Sequence, residues 1–171
     1  MFDFGITGYK PTWMRGTSAV AAAHGHRLAR LEGRGLSRVM LVWDLDEDAW
    51  FSDGLVLLDF EGEQVEIVHH RFDELSITWN TVDLAQPLDW AGEGFRLAWR
   101  EDVPGESAAL KGQRLQGVEL LEWAGQDMAQ GMVAVSFIFA NGRVTIYNAL
   151  DENGMEFDTP DPRYVRHRLG A

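Results

Sequence analysis

Apolar and polar residues alternate along a series of short stretches, and a period of two is the signature of strands with one buried face. Arg38–Trp43, Leu55–Phe60 and Gln64–His69 make one such series, and Leu115–Trp123, Met132–Phe139 and Arg143–Asn148 make a second. The last two strands of each series are joined by a tight turn, Glu61-Gly62-Glu63 or Ala140-Asn141-Gly142. Asn-Gly in the latter favours a type I′ hairpin, because both residues tolerate positive φ. Two further strands are predicted between the series, Leu75–Trp79 and Phe95–Trp99, with Pro87 and the glycine-rich stretch 91–94 bounding the loop between them. A helix is predicted ahead of the first series, capped by Thr17 or Ser18 and burying Val20, Ala21, Leu28 and Leu31, with Gly25 as its weak point. Asp158-Thr159-Pro160-Asp161-Pro162 suits neither a helix interior nor a central strand, so an extended surface arm is expected there.

The two series match each other on a gapless shift of 79 positions. Ala29/Ala108, Leu31/Leu110, Gly33/Gly112, Leu36/Leu115, Val39/Val118, Leu41/Leu120, Asp48/Asp127, Val56/Val135, Phe60/Phe139, Val65/Val144 and Ile67/Ile146 are identical, eleven of the positions 29–67. They fall mainly on the alternating apolar positions, which carry the buried face. The pattern predicts a single domain, 1–171, with an internal repeat at 29–75 and 108–154 and connecting strands in 75–107. The expected fold is mostly antiparallel β with one or two short helices, two fused β-rich repeats forming a barrel- or sandwich-like body with a groove where the halves meet.

Hydrophobic residues make up 46% of the chain and aromatics 11%, enough for a full core. There is no cysteine, which excludes disulfides and thiolate chemistry. The net charge of −12 repels phosphate backbones and anionic membranes, so neither nucleic acid nor membrane is an expected partner, whereas a basic protein is. Met1–Gly5 shows no basic leader and no apolar run approaches the ~20 residues that cross a bilayer, so residence in the cytoplasm is expected.

Motifs for chemistry are sparse. No Gly-x-Ser-x-Gly elbow, Walker-type loop or His-Glu-x-x-His occurs. The acidic loop Asp44–Gly54 offers oxygens at alternate positions, but the EF-hand glycine and bidentate glutamate positions hold Ala49 and Leu55, and the second copy keeps only Asp127. His69 and His70 face opposite sides of a strand, and His24 and His26 diverge by about 200° on a helix. No cofactor, metal site or catalytic residue is therefore expected. The candidate binding residues are aromatic and acidic. Trp50 and Trp90 sit in loops and Trp13 follows Pro11, making them the candidates for an exposed aromatic surface. Asp73, Glu74, Asp151 and Glu152 follow the third strand of each copy, at corresponding places. The leading expectation is a non-catalytic protein that binds another protein, for instance an inhibitor- or immunity-type protein against a basic toxin or enzyme. A cleft between the copies binding a sugar or apolar metabolite is the alternative, and a carboxylate-based enzyme a third.

Overall fold

Each alternating stretch does become a strand, because pairing satisfies its backbone while one face stays apolar. The computed structural model describes residues 5–89 and 94–170. The first sheet contains β1 (Leu36–Asp44), β2 (Ala49–Trp50), β3 (Val56–Phe60), β4 (Glu63–His70), β5 (Glu74–Trp79) and β6 (Leu97–Glu101). Met40 and Leu41 pair with β3 and with β6, so these two strands flank β1 on opposite edges. The second contains β7 (Leu115–Trp123), β8 (Val133–Phe139), β9 (Gly142–Asn148), β10 (Asn153–Glu156) and β11 (Tyr164–Leu169), in the order β10-β9-β8-β7-β11. Both sheets are antiparallel throughout, and no closed barrel forms among the described residues.

The ladders of the two sheets run in step. Val39↔Leu58 and Leu41↔Val56 in the first correspond to Val118↔Phe137 and Leu120↔Val135 in the second, 79 positions later. The irregularity between Leu36 and Arg38 recurs between Leu115 and Gly117. The type I′ geometry lies in the first hairpin, where Glu61 and Gly62 take φ of 54° and 92°; in the Asn-Gly hairpin only Gly142 has positive φ.

One buried cluster draws on both sheets, with Leu41, Val56, Leu58 and Ile67 from the first and Leu120, Val135, Phe137 and Ile146 from the second. The Phe60 ring lies 5.5 Å from Phe137 and 6.5 Å from Phe139. The predicted helix exists in three pieces: α1 (Thr17–Val20), a π-turn (Ala21–Gly25) and α2 (His26–Ala29). Its N-cap is Gly16 at φ 79° with no side-chain cap, so neither Thr17 nor Ser18 caps it. Val20 and Leu28 are both fully buried in the common core. Eight residues of regular helix would set them about 80° apart; the wider π-turn absorbs one residue and restores a shared face. A short helix, α3 (Gly105–Leu110), buries Leu110, the counterpart of the buried Leu31. No helix among the described residues is long and apolar enough to cross a membrane.

Two strands form where alternation does not announce them. Beyond the prolines, Tyr164–Leu169 pairs with β7 along its free edge, Tyr164 opposite Trp123 and Leu169 opposite Val118. Asn153-Gly154, a pair common in turns, opens strand β10; the turn lies earlier, where Leu150 and Asp151 take φ of 62° and 86°.

The outward faces of the sheets are finished differently. On the first, Met40, Leu55, Leu57 and Val68 form an apolar surface covered by Ile6, Tyr9 and Val82. The buried Glu66 carboxylate fastens that cover by accepting bonds from Thr81 N–H at 2.8 Å and Val82 N–H at 3.0 Å. On the second, one half is polar, with Glu119 bound by Arg143 at 2.8 Å and Arg166 at 3.0 Å. The other half is apolar, around Leu121, Met132 and Ala134.

Candidate functional site

The apolar half of the second sheet's outward face is an aromatic cleft of about 410 Å³. Three strand ends build it: Trp123 closes β7, Tyr147 lies near the end of β9 and Tyr164 opens β11. The Trp123 indole donates Nε1–H to Asp127 Oδ1 at 2.9 Å, carries the Arg163 guanidinium 4.5 Å above its ring, and meets Tyr164 edge-on at 4.9 Å. Two glycines make room for the rings. A Cβ on Gly154 would stand 2.3 Å from the Tyr147 ring, and one on Gly125 would stand 2.5 Å from Trp123 Nε1. This explains Gly154 inside a strand, where glycine otherwise weakens pairing.

Met132 forms part of the buried floor, while Met128 and Leu150 stand on the rim 68% and 51% exposed. Burial, and after it the charge of Glu156, pushes both the Tyr147 and Tyr164 hydroxyls above their ordinary range, so both phenols stay neutral at physiological pH. Glu152 also acts on Tyr147, and Asp161, which is paired with Arg163 at 2.7 Å, on Tyr164. Neutral aromatic walls and adaptable methionines, with Asp127 the one carboxylate among the lining residues, suit an apolar side chain.

A similar clamp exists on the first sheet, where Trp43 Nε1–H donates to Asp48 at 2.9 Å beneath Arg100 at 4.4 Å. There Trp43 shares a cavity of about 330 Å³ with Trp50 and Met155. Trp50 packs against the common core with its Nε1 buried and without an acceptor among the described residues. Trp13 packs instead against the cover of the first sheet, its ring 5.0 Å from His70. Trp13 and Trp50 thus belong to different clusters, and Trp90 lies outside the described residues.

The four acidic candidates gather where the turn 71–73 meets the turn 149–152. Arg15 holds Asp73 at 3.5 Å and Glu74 at 2.7 Å. Arg71 N–H donates to Asp151, whose carboxylate also lies 3.2 Å from His70 Nδ1. Ser52 Oγ donates to Glu152 at 2.6 Å. Burial, and then Glu152 and Asp151, pushes the neighbouring Asp53 carboxyl above its usual range. Beneath them lies a buried bridge between the sheets. Asn153 Oδ1 accepts His69 N–H at 2.9 Å and touches His69 Nδ1 at 2.9 Å, while its Nδ2 donates to Gly54 O at 2.7 Å. His69 Nε2 lies 3.0 Å from Val133 O. Asp151 and Glu152 are therefore engaged in fastening one half to the other, whereas Asp73 and Glu74 hold Arg15 ahead of the first helix. Among the described residues, no group of three or more histidine or carboxylate side chains is placed to hold a metal ion.

Burial pulls the His69 pKa below its ordinary value, outweighing its contacts with Asn153 and Val133. An unfolded histidine takes up its proton near pH 6.5, and the folded protein does so only at lower pH. This contribution to stability is complete above about pH 6.5 and is lost as pH falls toward the folded value, with a slope of up to about 1.4 kcal/mol per pH unit. Urea titrations at successive pH values are expected to show that decline in the native sequence and a shallower one in His69→Gln. Parallel curves would remove His69 as its source.

Alternation and motifs alone do not single out Tyr147, Tyr164, Met128 or Met132. The available signal was an outward strand position holding Tyr147 where a solvated face calls for a polar residue. No protein-family model matches the chain, and no curated protein or solved structure matches it either.

Proposed function

We propose that this chain is a non-catalytic protein that binds a basic protein partner, taking an apolar side chain of that partner into the cleft between Trp123, Tyr147 and Tyr164. An inhibitor- or immunity-type role against a basic toxin or enzyme is the concrete form of this reading. We also read the halves as duplicates, stacked as a sandwich, on the strength of the shared 79-residue register and the common core.

The observation that carries the proposal is the contrast between the two outward faces. The first sheet's apolar face is covered by polypeptide from the same chain, Ile6 and Tyr9 among it, whereas the aromatic face of the second leaves Met128 and Leu150 exposed at its rim. A polypeptide segment is what covers such a face once in this molecule already. The net charge of −12 favours a positively charged one.

Affinity capture at low salt from a lysate of the source organism, with the native protein and Leu150→Asp side by side, tests this. Leu150 has positive φ, which aspartate tolerates, so the variant folds. The expected result is a basic protein held by the native chain and released by salt, with affinity at least about tenfold lower for the variant, the equivalent of 1.4 kcal/mol. Equal capture by both, or no partner at low salt, would overturn the reading. The cleft volume, about 410 Å³, also falls within the range of small-molecule sites. That second reading predicts an apolar metabolite or sugar retained by the purified native protein in native mass spectrometry and absent from Leu150→Asp.

A further inference from the structure

The stretch His24–Arg34 carries three arginines and two histidines against one glutamate, in a chain whose overall charge is −12. The fold gathers part of this stretch around a second concavity of about 410 Å³, lined by His26, Arg27, Arg30, Leu31, Arg34 and Glu63.

One guanidinium there is already committed. Arg27 binds Glu63 at 2.6 Å and lies 4.5 Å over the Trp79 ring, and Trp79 is itself held by its Nε1–H bond to His24 Nδ1 at 3.1 Å. Glu63 also accepts a bond from Asn80 at 3.1 Å. Burial works to raise the Glu63 pKa, but the bonds from Asn80 and Arg27 and the charges of Arg27 and Arg34 outweigh it and keep this carboxyl below its ordinary range. The concavity thus already stabilises one anionic group supplied by the protein.

The other two arginines have no such partner. Among the described residues the Arg30 side chain makes no ion pair or hydrogen bond, and Arg34 reaches only Phe60 O, at 3.5 Å. Elsewhere Arg15, Arg38, Arg71, Arg96, Arg100, Arg143, Arg163 and Arg166 all meet carboxylates. Arg114 and Arg168, like Arg34, reach only backbone carbonyls, so among the described arginines Arg30 alone makes neither an ion pair nor a hydrogen bond, in a chain with 27 acidic residues. An anion placed between Arg30 and Arg34 would offset the mutual repulsion of their like charges.

We infer that this concavity binds a small phosphate-bearing molecule through Arg30 and Arg34, with Arg27 joining them. Guanidinium forks match the oxygens of a phosphate bidentately, and a group with several negative oxygens engages two forks at once where a single carboxylate engages one. The space exceeds that of an inorganic phosphate, leaving room for an organic group over Leu31. A nucleic-acid strand is disfavoured, because its remaining phosphates meet the negative field of the rest of the molecule.

Calorimetric titration of the full chain with inorganic pyrophosphate at low ionic strength tests the inference. Saturable one-to-one binding is expected. Arg30→Ala/Arg34→Ala should weaken it at least about tenfold, since each charge-assisted bond contributes on the order of tenfold or more. Both side chains are exposed, so this variant folds. Arg96→Ala, which breaks a surface pair with Asp46 elsewhere, should leave binding unchanged. Glu63→Gln should tighten it severalfold by removing the internal anion that competes for Arg27, a change that a purely structural role for these arginines does not produce. The inference is overturned by no saturable heat, by equal affinity in the double arginine variant, by weaker binding in Glu63→Gln, or by binding of a single-stranded oligonucleotide without binding of pyrophosphate.

Discussion

Phe137→Ala is expected to lower the free energy of unfolding by about 4 kcal/mol, within the range for removing a fully buried phenylalanine, and the melting temperature by roughly 10 °C. Phe137 is fully buried on β8 and meets Phe60 of the other sheet, so its loss opens a cavity that both sheets line. Relaxation into that cavity is resisted on each side by a hydrogen-bonded ladder, which places the effect high in the range. Differential scanning calorimetry distinguishes the outcomes. A shared core predicts one transition that moves as a whole. Two transitions, of which only one moves, would show that the sheets fold as separate units.

Asn153→Ala is the second large effect, expected at about 3 kcal/mol. The side chain is 2% exposed and its amide serves three groups: the His69 N–H, the His69 ring and the Gly54 carbonyl. Alanine leaves them buried without a partner, and each such group costs about 1–3 kcal/mol, less where water enters the space. Chemical denaturation measures the loss. A change below about 1 kcal/mol would mean that the bridge contributes little to joining the sheets. Asn153→Asp restores the acceptor but not the donor to Gly54, so it should recover only part of the lost stability.

Local patterning made the strands legible before any coordinates, because alternation reports which face is buried. The Leu55–Phe60 and Met132–Phe139 stretches appear as β3 and β8 to within two residues at each end. Features set by distant contacts were not legible. Asn153-Gly154 reads as a turn from its composition. Its glycine is there for the Tyr147 ring and its asparagine for a histidine 84 residues away. Likewise Tyr164–Leu169 has no apolar alternation strong enough to announce a strand, and its partner β7 supplies the pairing. Of the acidic candidates, Asp151 and Glu152 bond across to Arg71, His70 and Ser52, while Asp73 and Glu74 pair with Arg15, so corresponding places in the two copies carry different contacts. The aromatic cleft went unseen because Trp123, Tyr147 and Tyr164 belong to three strands whose adjacency only the fold creates.

Running two sheets in step along one chain carries a hazard of misassembly, since a strand from either half offers its neighbours the same spacing and the same inward residues. The outward positions remove that ambiguity. Met40, Leu57 and Glu66 on the first sheet stand where Glu119, Ser136 and Thr145 stand on the second. A β3 strand exchanged into the place of β8 would set Leu57 in place of Ser136, between Glu119 and Thr145, and deny Arg143 its bond to the Ser136 hydroxyl. The differences that dull the likeness between the halves are thus the ones that keep each strand in its own sheet while the chain folds.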